Sequence, residues 1–112
     1  MPIVVKNTNN LEFQYQEPTT SVNGTALNDL KETRVYMRAL PDGIESVVKI
    51  EPASAPTGGG NVIVAVTAPV LPDEEKIMEG WVVAVDNVGN VGPKSNIIQV
   101  EVDRLAPSAP LL

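Results

Sequence analysis

Apolar and polar residues alternate along much of this 112-residue chain. A period of two marks a strand with one face on a core and one in water. Leu11, Phe13 and Tyr15 alternate with Glu12, Gln14 and Gln16, and similar runs recur at 2–6, 32–40, 44–51, 61–68, 78–86 and 96–103. Turn chemistry separates them: Asn7–Asn10, Pro41-Asp42-Gly43, Gly58–Asn61, Pro69–Pro72 and Asn87–Pro93. The triglycine Gly58-Gly59-Gly60 reads as a hairpin tip. Gly80 alone interrupts a run, which predicts a bulge or a close backbone approach. The helical suggestion at 27–32 is too short to persist. Seven short strands predict an all-β, two-sheet antiparallel sandwich over residues 1–103, followed by an extended Pro/Ala-rich tail at 104–112.

Composition narrows the chemistry. There is no cysteine and no histidine, so disulfides, thiolate nucleophiles, Cys/His zinc sites and His-based triads are excluded. The formal net charge is −6, and Lys and Arg never cluster. An acidic surface repels phosphate, which argues against nucleic acid and anionic membranes as partners. No stretch approaches the roughly 20 apolar residues of a spanning helix. The first residues lack the basic and apolar regions of a signal peptide, so the expectation is a chain that starts at its own Met1 and stays where it is made.

The triglycine lacks the Gly-Lys-Ser/Thr of a phosphate loop. Lys94 and Ser95, as strand neighbours, point to opposite faces. Asp73-Glu74-Glu75 lacks the spacing of a calcium loop and reads as solvated. Asp86 shapes a turn, and the sequon Asn23-Gly24-Thr25 is likewise read as a turn. No catalytic, cofactor or metal residue is expected, and the chain is read as a non-enzyme.

Three segments carry a family resemblance. They are Tyr15-Gln16-Glu17-Pro18, then Asn23–Leu30 with Thr33–Tyr36, and Trp81–Asn90 with Ser95-Asn96. Over about residues 10–103 the chain resembles a fibronectin type III domain of the bacterial and phage type. It departs from that family at Tyr15, where Trp is usual, and at Met78, where the family's tyrosine corner falls. The resemblance implies a seven-stranded antiparallel immunoglobulin-like β-sandwich.

Its register sends Met78, Val82 and Ala84 inward with Val35 and Met37. Trp81, Val83 and Val85 then face out beside Arg34, Tyr36 and Arg38. These six residues form the expected interaction surface, an exposed apolar patch rimmed by arginine, because Trp, Tyr and Arg are enriched at contact hot spots. The competing expectation is that Gly80 bulges the strand and turns Trp81 into the core. A second candidate is the long loop from Glu17 to Lys31, pinned by Leu27 and Leu30.

The functional expectation is a structural or binding module of a phage virion, a capsid decoration or tail-associated protein assembled in the host cytoplasm. Its partners would be neighbouring capsid or tail proteins, held by many weak copies. The alternative is an accessory or spacer domain of a secreted bacterial glycan-active enzyme or adhesin, extracellular, with a surface glycan as partner.

Overall fold

The computed structural model describes residues 4–112. The alternating runs become seven strands: β1 (Val4–Lys6), β2 (Asn10–Gln16), β3 (Leu30–Ala39), β4 (Ser46–Pro52), β5 (Asn61–Thr67), β6 (Glu75–Asp86) and β7 (Ile98–Asp103). Pro2 and Ile3 of the first predicted run lie outside the described residues. No helix occurs among the described residues. At 27–32 the buried Leu27 and Leu30 anchor the chain instead, and Leu30 opens β3.

The strands form a five-stranded sheet, β1-β7-β6-β3-β4, and a two-stranded sheet, β2-β5. All pairs are antiparallel except one. β1 runs parallel to β7, with Val4 opposite Val100, which corrects the expectation of a wholly antiparallel fold. One core joins the two sheets. Leu11, Phe13, Val64 and Val66 from the small sheet meet Val35, Met37, Met78, Val100 and Val102 from the large one. Burying such side chains is worth roughly 1.5–3 kcal/mol each, so this layer is the main source of stability.

Gly80 is a close approach. A Cβ there would stand 2.7 Å from Phe13 Cζ, so the ring packs onto bare backbone. The strand needs no bulge at this point, because β6 keeps its register with β3 from Glu79 to Val83.

The triglycine expectation is corrected. β4 and β5 belong to different sheets, so Gly58–Gly60 lies in a crossing between layers and not at a hairpin tip. Gly58 has φ +67°, and a Cβ there would lie 2.0 Å from Pro18 O. The crossing is tied down by a buried carboxylate. Glu17, 3% exposed, accepts from Ser54 N (2.9 Å), Ser54 Oγ (2.5 Å) and Gly60 N (3.0 Å). Burial alone would raise this carboxyl, but the bonds from Ser54 and Gly60 outweigh it and hold Glu17 below its ordinary value.

After β7 the chain is pinned once more. Arg104 N donates to Glu74 O (2.8 Å), and Arg104 Nη1 donates to Val70 O (2.8 Å). Beyond it, residues 105–112 form an exposed arm outside any strand, and the molecule extends 67 Å along one axis against 27 and 24 Å across.

Candidate docking faces

The outer face of the large sheet is built from β3 and β6. Their register sets Tyr36 opposite Trp81, Arg34 opposite Val83, Glu32 opposite Val85 and Arg38 opposite Glu79. Strand parity puts these side chains on the face opposite Val35, Met37 and Met78. All six residues of the predicted surface therefore share one face.

Their exposure differs from the expectation. Trp81 is only 2% exposed, and Val83 and Val85 are buried as well. The cause is cover from above and beside. The Tyr36 and Trp81 rings stack nearly parallel, 5° apart with centroids at 6.0 Å. Lys94 Nζ sits 4.1 Å from the Trp81 ring centre, a cation over the electron-rich face. The segment that returns after β6 runs beside it: Gly92 N donates to Ala84 O, and Ser95 N to Val82 O, both at 2.9 Å. Trp81 thus belongs to a second, outer apolar layer. It has not been turned into the inter-sheet core.

Charge frames this layer. Arg34 Nε donates to Glu32 at 2.6 Å, and Arg38 Nε donates to Glu79 at 2.5 Å. Glu32, and after it Tyr36, raises the Arg34 guanidinium above its ordinary range. Lys94 and Ser95 have separate partners: Lys94 approaches Glu45 at 3.9 Å, while Ser95 Oγ accepts from Val82 N at 2.9 Å. What the face offers to solvent is a half-buried Tyr36, the two arginines, and the exposed Val47 and Ile50 of β4.

The 17–31 loop folds on itself. Thr20 bridges Ala26, Ser21 N donates to Thr25 O at 2.8 Å, and Val22 stands exposed at the tip. Asn23 Oδ1 accepts from Thr25 N (3.1 Å) and Thr25 Oγ1 (2.7 Å), which closes the turn over Gly24. Asp86 organises the turn after β6 in the same way. Its carboxylate accepts from Val88 N, Asn90 N and Asn90 Nδ2, and Asn90 foremost lowers its pKa.

The acidic run is divided among three tasks. Asp73 takes φ 64° in the turn, Glu74 accepts from Leu71 N at 2.9 Å, and Glu75 opens β6. A side-chain hydrogen bond with Glu101, which favours the protonated form, and after it the negative charge of Asp103, raises the Glu75 carboxyl.

Two features had no sequence signal. The carboxylate of Glu17 is buried through contacts 37 and 43 residues away. Lys94 reaches Trp81 only because the return segment lies on β6. Comparison with known proteins returns no matching family model, no matching curated protein and no matching solved structure.

Proposed function

We propose that this chain is a non-catalytic binding module with a fibronectin type III-like sandwich topology, and that it docks on neighbouring proteins of a phage virion. The pairing order β4-β3-β6-β7 facing β2-β5 supports the topology, together with the three sequence segments that resemble that family. Fold alone does not assign a partner. The observation that carries docking is the arm: Leu105, Leu111 and Leu112 project apolar side chains into water, with Leu111 98% exposed. Side chains held out this way lower their free energy when a partner covers them. The arm would order on contact, and repetition over a particle would multiply weak single contacts.

Particles assembled without this chain provide the test. Purified chain is expected to bind them saturably, and L111D is expected to lower occupancy at least tenfold. Absence of binding to capsid and tail assemblies alike would overturn the virion reading. For the alternative, a glycan-binding accessory domain, stacking on Trp81 would require that ring to come out from under Tyr36 and Lys94.

A further inference from the structure

The two sheets are unequal, and that leaves a slot. Among the described residues, β2 is paired on one side only, with β5. Asn9 O accepts from Ala68 N and Glu17 N donates to Gly60 O, so the odd-numbered residues of β2 bond to β5. The backbone groups of Glu12 and Gln14 therefore point toward the unpaired edge. Beside that edge, among the described residues, lies a groove of about 1040 Å³ lined by Leu11 and Phe13 on one side and by Val4, Ile97, Ile98 and Val100 on the other. It combines free backbone donors and acceptors with an apolar floor, which is what an added strand requires.

The edges of the five-stranded sheet carry devices that discourage pairing. β1 ends in Lys6, while β4 carries Lys49, Glu51 and Pro52 and a register shift against β3. β2 is seven residues long, without Lys, Pro or a register break. A second globular edge could not approach it closely, because β7 and β1 form the far wall of the groove. A single extended segment fits that space.

The arm has the matching pattern. Leu105, Pro107, Ala109 and Leu111 fall on one side of an extended chain, and residues 105–112 carry no ionisable side chain. Eight extended residues span about 26 Å and the seven of β2 about 23 Å, at roughly 3.3 Å each. With the odd residues on the groove floor, Ala106 and Ser108 turn their N–H groups toward β2. Pro107 then faces away from the ladder, where its missing donor costs nothing; only Pro110 forgoes a bond. The arm leaves its own domain past Asp103, whereas the groove is lined by Asn96–Val100 at the start of β7.

We infer that the arm of one copy adds as a strand to the β2 edge of a second copy, inside this groove. Such a head-to-tail contact is heterologous, and it builds rings or open chains. Self-association of this kind stands apart from particle docking, since either can hold without the other.

Sedimentation equilibrium of the full chain is expected to show a mass that rises with concentration. L111D and S108P alter the arm without touching the core, and each should shift that rise to at least tenfold higher concentration. A labelled peptide of residues 104–112 should bind the chain truncated after Arg104, and its S108P form should bind at least tenfold more weakly. A full chain that stays monomeric to about 1 mM, or association that both variants leave unchanged, would overturn the inference. Particle binding by a chain that never self-associates would overturn it while leaving the docking reading intact.

Discussion

Glu17 concentrates the chemistry of single residues in this fold. It is a buried carboxylate with three donors aimed at it, where leaving one donor unmatched costs about 1–3 kcal/mol. Glu17→Gln places an amide against those donors, so the unfolding free energy measured in urea is expected to drop by about 1–3 kcal/mol at neutral pH. The pH dependence has a definite sign. The folded pKa lies below the ordinary 4.5, so the contribution is complete above that value and disappears as pH falls through the depressed one. The gap between wild type and E17Q should therefore narrow in acid, below the ordinary carboxyl range. An equal gap at neutral and acid pH would mean that the carboxylate is not the origin. Gly80 is the steric counterpart: Gly80→Ala pushes a methyl into the Phe13 ring and is expected to cost about 1–3 kcal/mol, with Phe13→Leu in the same chain recovering part of the loss. The glycine was conspicuous in the sequence because it broke a run. Glu17 was not, since nothing local distinguishes it from a solvated glutamate.

At the level of strands, parity is a local property and exposure is not. The alternation in 78–86 and 32–40 was enough to separate Val35, Met37, Met78 and Val82 from Trp81, Tyr36 and Arg34, because every second side chain must share a face. Whether the outer set meets water depends on residues 91–95 folding back along β6, and no period encodes that return. The same limit explains the triglycine: consecutive strands joined by a glycine-rich loop pair as a hairpin only if they share a sheet, and β4 and β5 do not. The parallel pairing of β1 with β7 is equally silent in sequence. These placements make Trp81 a reporter of β6. As the single tryptophan, it should emit at blue-shifted wavelengths in the native state and resist acrylamide quenching. Red-shifted, freely quenched emission would show the outer layer to be open. Trp81→Ala should cost about 3–5 kcal/mol by circular dichroism in urea, a large fraction of the roughly 5–15 kcal/mol such domains possess. Lys94→Ala, which removes the cation above the ring and its exposed approach to Glu45, should cost about 0.5–1 kcal/mol.

Across the whole molecule, the core and the exposed arm are separated in space. The side chains that hold the sheets together lie between them, and Arg104 is the last residue to hydrogen-bond across to another element, the 70–75 turn. Residues 105–112 come after it, exposed along their length. Removing exposed residues that support no packing changes unfolding free energy by no more than about 0.5 kcal/mol. Truncation after Arg104 is therefore expected to leave the urea midpoint and slope unchanged, while it abolishes whatever assembly the arm mediates. Arg104→Ala should do the reverse: it strips the donor from Val70 O and loosens the 70–75 turn, lowering the midpoint while the arm remains present. A pair of variants that part stability from association in opposite directions would locate contact in the arm. A truncated chain that unfolds markedly earlier would instead mean that these residues fold back on their own domain, and the arm could then no longer be counted as a free docking segment.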